Sequence, residues 1–183
     1  AAERTHAGLG RAFQLTSLFP HLTVQENIRL ALQSKDRLGL DLWNVWNRHL
    51  GLIARAGEVL EAVALHGKKD MRAAELPHGD QRKLEVGMLM ALDPDIYMFD
   101  EPTAGMSVDE VPVILDLIRA LKARRDKTIL LVEHKMDVVR ELADRIIVLH
   151  NGTLMADGEP ETVIASPVVQ QAYLGLAPVE DAA

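Results

Sequence analysis

Three short apolar runs separated by amphipathic stretches restrict the fold of this chain more than any other feature of its sequence. Ile96-Tyr-Met-Phe99, Thr128-Ile-Leu-Leu-Val132 and Arg145-Ile-Ile-Val-Leu149 have strand length and are almost continuously apolar, the pattern of strands covered on both faces. Between the first two, Val111, Ile114, Leu115, Ile118 and Leu121 fall on one face of a helix. Strand, helix, strand, helix, strand is the α/β signature. With 183 residues and 48% hydrophobic content, the chain can bury one substantial core and a smaller subdomain against it. Aromatic residues make up only 4%, so that core is built from Leu, Ile, Val, Ala and Met.

The residues before Ile96 carry helical signals instead. Thr23-Val-Gln-Glu26 is a capping box that opens a helix reaching about Lys35. Leu42, Val45, Trp46, His49 and Leu50 continue a helical stripe, and Ile53, Val59, Leu60 and Val63 mark another helix over about Leu52 to Leu65. A further helix, Gln81 to Leu92, stops at Asp93-Pro94, because proline disfavours helix in the residue before it. Beyond the last strand, Asn151-Gly152 predicts a hairpin turn into Leu154-Met-Ala, and Ser166-Pro167 opens a short helix with an N-cap and an N1 proline.

Composition excludes several chemistries. Cysteine is absent, which removes disulfides, thiolate metal sites and thiol nucleophiles. A net charge of -7 argues against a dedicated nucleic-acid binder, since phosphate neutralisation needs a concentrated basic surface. The basic cluster of Arg119, Lys122, Arg124, Arg125 and Lys127 sits at a predicted helix end, where cations offset the dipole. No apolar run approaches the roughly 20 residues of a membrane span, and the opening A-A-E-R-T-H-A-G reads as neither signal nor transit peptide. A membrane role is expected only through a partner.

Polar residues gather at the predicted strand ends. Asp100 and Glu101 close the first strand, where open α/β sheets bind ligands. Adjacent carboxylates suit a magnesium nucleotide: one holds the cation, usually through water, and the next orients or deprotonates the attacking water. The plain alternative is two solvated acids in a turn closed by Pro102. His134 ends the next strand, and its imidazole could donate to a terminal phosphate beside the acids; alternatively it caps the helix starting at Lys135-Met-Asp. Leu76-Pro-His-Gly79-Asp-Gln81 lies immediately before a helix, so Gly79 allows close backbone approach and the helix N-terminus offers N–H groups to an anion. An ordinary turn and cap is the alternative there.

L-x-x-G-x-Q, then a strand ending D-E-P, then a strand ending E-H, in that order and spacing, resembles the ATP-binding cassette ATPases, motor subunits of membrane transporters. The resemblance covers about Leu9 to Gly175. It implies a partial three-layer P-loop NTPase-like α/β core with an α-helical signature subdomain. Pro77, His78, Gly79, Asp80 and Gln81 would then be the nucleotide-binding signature segment, Asp100 the Walker B aspartate, Glu101 the catalytic glutamate and His134 the switch histidine. Gln14 in Arg11-Ala-Phe-Gln14 resembles the Q-loop glutamine, and with Asp100 it would serve the magnesium ion, the acid through water. Ala104, Gly105, Met106 and Ser107 match the D-loop.

The implied organisation is a Q-loop segment and core remnant over 1–22, a helical subdomain over 23–92, an α/β core over 93–166, and a terminal helix and tail over 167–183. The implied ligands are ATP and Mg2+. The implied partners are transmembrane permease subunits, a second cassette ATPase, identical or paralogous, and indirectly an external substrate-binding protein, with no nucleic acid. The implied location is peripheral, on the cytoplasmic face of the bacterial inner membrane. Within the family, Arg11-Ala-Phe-Gln14, Ala104-Gly105-Met106, Val132-Glu-His-Lys-Met136 and Gln171-Ala-Tyr-Leu-Gly175 are similar to the ATPases of branched-chain amino acid importers. Importers of urea or short amides look alike.

The sequence also departs from the family. No G-x-x-x-x-G-K-[S/T] occurs in it, so the lysine and hydroxyl that serve phosphate and magnesium are missing. The family places that loop upstream of the Q-loop; the chain is therefore expected to be a piece of a longer gene product that binds ATP poorly, or not at all, as given. Pro77 stands at the usual signature serine and supplies neither a hydroxyl nor an N–H, which is expected to slow hydrolysis. Ser107 stands where many relatives carry an aspartate, and Ser107-Val-Asp-Glu110 is itself a second capping box. Trp43 and Trp46 lie in the stretch that contacts the permease in the family, although aromatics at helical spacing more often belong to a core than to an interface. Two further readings stay open. One is a soluble cassette ATPase of DNA repair or translation, for which no basic surface or coiled-coil insertion is visible. The other is a non-catalytic remnant acting as a binding module.

Overall fold

The structure is a computed structural model that describes residues 8–12, 18–36 and 50–171. Strands β1 (Leu9–Ala12), β2 (Ile96–Asp100) and β3 (Thr128–Val132) form a parallel sheet in that order, with Asp100 opposite Val132. Tyr97 and Phe99 share the buried face of β2, their rings stacked with centroids 6.1 Å apart. The helix α4 (Val111–Ala123) connects β2 to β3 and buries Ile114, Leu115, Leu117, Ile118 and Leu121, close to the predicted stripe.

Among the described residues three α-helices precede β2: α1 (Val24–Lys35), α2 (Leu50–Ala62) and α3 (His78–Leu92). Their apolar faces interlock, with Val24, Ile28, Leu32, Leu60, Val63, Leu84 and Val86 buried. The predicted box caps α1: the Thr23 hydroxyl accepts from the Glu26 N–H, and the Glu26 carboxylate accepts from the Thr23 N–H at 2.8 Å. Buried Asn27 accepts from the Phe19 N–H and donates to the Phe19 and Thr23 carbonyls, which fixes the chain entering α1. α3 begins at His78, earlier than the sequence pattern placed it, because the Gln81 N–H already donates to the Pro77 carbonyl at 3.0 Å and closes a helical turn over His78–Asp80.

α3 ends where Asp93-Pro94 was expected to stop it, with Asp93 in the left-handed conformation at φ 46°. The Asp93 carboxylate accepts from Lys35 and Arg124 at 3.0 Å and lies 3.3 Å from Lys127, tying together the ends of α1, α3 and α4. Burial alone would raise its proton affinity, but Lys35 and Lys127 outweigh that and hold the carboxyl below the ordinary value of 3.8. The unfolded chain therefore binds the proton more readily than the folded one, and this contribution to stability is present above pH 3.8 and lost as pH falls below it. Thermal unfolding followed across pH should show the midpoint falling in that acid range, and less steeply in Asp93→Asn; an identical slope in the variant would remove Asp93 from the cause.

The chain divides into two compact units, Ala1–Val132 and Glu133–Ala183. The second contains α5 (Met136–Leu142), an antiparallel hairpin of β4 (Ile146–His150) and β5 (Thr153–Gly158), then α6 (Pro160–Ala165) and α7 (Pro167–Val169). Asn151 at φ 49° and Gly152 at φ 76° make the expected Asn-Gly turn. Ile146, Val148, Val163 and Val169 form the buried cluster of this unit.

The expectation of strands covered on both faces fails at two of the three runs. In β3, Leu130 and Val132 are 47% and 53% exposed, so one face of this strand is open among the described residues. In β4, Ile147 and Leu149 are similarly exposed, because an antiparallel hairpin buries one face only. Trp43, Trp46 and the rest of the stripe from Leu42 to His49 lie outside the described residues, as do Gln14 and Ala172 to Gly175. Among the described residues no helix is long and apolar enough to cross a membrane.

Candidate functional site

Asp100 is the last residue of β2, and the chain turns sharply after it. Glu101 takes a left-handed backbone at φ 47°, unusual for a side chain with a Cβ and more so directly before a proline. Its N–H donates to the Val132 carbonyl at 2.9 Å, so β3 holds one side of the turn. Its carbonyl accepts from the Ala104 N–H at 3.0 Å, and Pro102 and Thr103 are buried beneath. Both carboxylates sit on a half-buried rim.

The first turns of α3 reach this rim. Arg82, 5% exposed, donates from Nη2 to the Asp100 carbonyl at 2.8 Å and the Glu101 carbonyl at 3.2 Å, and from Nε to the Pro102 carbonyl at 3.4 Å. Its Nη1 donates to buried Glu85 at 2.9 Å, so the guanidinium charge is compensated where water is scarce.

A second network joins the start of α3 to the turn before α4. Buried Lys83 donates to Asp80 at 3.0 Å and to Glu110 at 3.4 Å, and Lys68 donates to the other oxygen of Asp80. Glu110 in turn accepts from the Ser107 N–H at 3.1 Å and the Ser107 hydroxyl at 2.9 Å. Burial would lower the basicity of Lys83, but Asp80 and then Glu110 outweigh it and hold the ammonium above the ordinary lysine value. Burial likewise works against ionisation of Asp80, yet Lys68 and Lys83 keep its carboxyl below the usual range. The Ser107 N–H and then its hydroxyl do the same for Glu110. Gly79 sits so close to Glu110 that a Cβ there would overlap the carboxylate, and Gly105, at φ 71°, lies under the His78 ring.

The structure thus brings Pro77, His78, Gly79, Asp80 and Gln81 together with Asp100, Glu101 and the turn Ala104–Ser107, all within the first unit. Gln81 itself turns back, donating to the Leu76 carbonyl at 3.0 Å. His134 belongs to the second unit, where its backbone N–H donates to the Glu133 carboxylate at 3.1 Å and its side chain is exposed. The N-cap residue of α5 is Lys135 rather than His134. Only half of the predicted Ser107–Glu110 box forms: the Glu110 carboxylate accepts from the Ser107 N–H, but the Glu110 N–H donates to the Ser107 carbonyl at 3.0 Å rather than to its hydroxyl, and regular helix starts only at Val111.

Sequence reasoning missed Lys68, Arg82, Lys83, Glu85 and the second role of Glu110. The available signal was the pairing of opposite charges at i,i+3, Asp80 with Lys83 and Arg82 with Glu85. Among the described residues no group of three or more histidines and acids could hold a metal unaided. The hard oxygens of the Asp100 carboxylate instead suit a magnesium ion that keeps several waters and takes further ligands from substrate phosphates.

The family model described as "ABC transporter" matches residues 1–104. The high-affinity branched-chain amino acid transport ATP-binding protein LivG of Escherichia coli is 37% identical over 173 residues, 92% of this chain and 68% of that protein. BraF of Pseudomonas aeruginosa, with the same descriptive name, is 35% identical over 173 residues with the same coverage. A solved ATP-binding cassette of an ABC transporter superposes with a TM-score of 0.74 at 28% identity, over 94% of this chain and 70% of that one. The chain belongs to the ABC transporter family, with the α/β fold of its ATP-binding cassettes.

Proposed function

We propose that this chain supplies the catalytic glutamate, the Walker B aspartate and the signature segment of the ATP-binding and ATP-hydrolysing motor subunit of an importer for branched-chain amino acids. The observation that carries the reading is the acidic turn: two carboxylates at the end of a parallel strand, the second held by its backbone in a left-handed conformation at the rim. The names of LivG and BraF support the solute class.

Glu101 acts as the general base, taking a proton from the water that attacks the γ-phosphate, and Asp100 would hold Mg2+ through water. A bound magnesium ion supplies charge neutralisation on the phosphates. His134 and Gln14 sense the γ-phosphate. Cassettes pair head to tail, so that the segment Pro77–Gln81 meets the nucleotide of the partner cassette. Gly79 and Asp80 offer N–H groups at the α3 N-terminus, the positive end of its dipole. The stretch between Gln14 and about Leu65 passes dimer closure to the permease, and the subunit sits peripherally on the cytoplasmic face of the membrane.

Proteoliposomes holding the transporter assembled around this chain provide the test. ATP-dependent uptake and solute-stimulated ATPase activity are expected for leucine, isoleucine and valine. Stimulation by urea or glutamate alone would remove the solute assignment, and turnover by a cassette that never associates with a permease would remove the importer.

A further inference from the structure

Four charged side chains in the first turns of α3, Asp80, Arg82, Lys83 and Glu85, are all buried. Such burial is costly unless every charge is answered, so the arrangement calls for a purpose. Asp80 and Lys83 answer each other and reach toward Lys68 and Glu110. Arg82 is different: apart from Glu85, the bonds described for it run to main-chain carbonyls, and these belong to three consecutive residues, Asp100, Glu101 and Pro102.

A run of carbonyls can converge on one side chain only if the backbone curls around it, and the left-handed Glu101 supplies that curl. The cost of the Glu101 conformation is met by what surrounds it: the Val132 carbonyl on one side and the Arg82 fork on the other. Lysine could not replace this fork, because an ammonium is a point donor without the planar spread of Nε, Nη1 and Nη2.

We infer that Arg82 is the positioning residue of the acidic turn: it holds the Glu101 peptide in its left-handed conformation and makes the start of α3 and the Glu101 turn one rigid piece. Because Gly79 lies one helical turn before Arg82, the Arg82 side chain gives a load on the signature segment a direct route to the Glu101 peptide. The inference rests on the reading of Glu101 as the base only for its effect on turnover; the grip itself is independent of that reading.

The test uses the assembled transporter carrying Arg82→Lys and, as a milder loosening, Glu85→Gln. For Arg82→Lys, kcat for Mg-ATP should fall about 100-fold, the scale expected when a catalytic group is misplaced by about an ångström. KM should change less than about threefold, since substrate binding is not the target. Glu85→Gln should lose about tenfold in kcat by letting the guanidinium drift. Hydrogen exchange at the Glu101 and Ala104 amides should accelerate in both variants while that of Ile129 to Leu131 stays unchanged. Wild-type kcat with unchanged exchange would overturn the inference, as would exchange that accelerates evenly across the first unit, the mark of a merely structural residue. Glu101→Gln, run alongside, separates the two readings: undiminished turnover there sinks the assignment of the base, while the exchange experiment still decides the grip.

Discussion

Gly79→Ala should destabilise the chain by about 1 to 3 kcal/mol, the usual cost of adding a methyl group where no room exists. The added carbon falls on the Glu110 carboxylate, and that carboxylate cannot swing aside freely. One of its oxygens accepts from both the N–H and the hydroxyl of Ser107, and the other from Lys83. Removing the obstacle makes the sharper prediction. In Gly79→Ala/Glu110→Ala the overlap is gone, so the double variant should cost less than the sum of the two single variants by about 1 kcal/mol. Strictly additive losses in urea unfolding would show that Gly79 and Glu110 do not meet. If cassettes pair as proposed above, turnover of the transporter should fall about tenfold or more in Gly79→Ala, because the displaced segment Pro77–Gln81 would approach the partner's nucleotide badly.

Much of this site was legible in the residues. An apolar strand that ends abruptly in two acids and a proline leaves little freedom for where Asp100 and Glu101 fall, and β2 ends at Asp100 as expected. The Thr23 box, the Asp93-Pro94 stop and the Asn151-Gly152 turn were also readable, because each is decided by bonds within a few residues. The order of motifs sufficed to place the chain in its family.

What stayed hidden depends on contacts between distant segments. Arg82 and Lys83 follow Gln81 as though they were solvated charges on a helix, and nothing local says that β2 delivers three carbonyls to one of them. Glu110 looked like a cap for its own helix, while its second partner, Lys83, is 27 residues away. The exposed faces of β3 and β4 were hidden for another reason. An apolar run reports that a strand can be covered, but how many layers cover it is a property of the assembled core.

The central claim is that Glu101 removes the proton from the attacking water, and Glu101→Gln in the assembled transporter tests it most directly. The amide matches the carboxylate in shape but cannot take up the proton, and the turn is gripped through main-chain carbonyls that the substitution leaves alone. Single-turnover hydrolysis of bound ATP should slow by about a hundredfold to ten-thousandfold, with ATP still bound and the cassettes held closed. Hydrolysis at the wild-type rate would contradict the account.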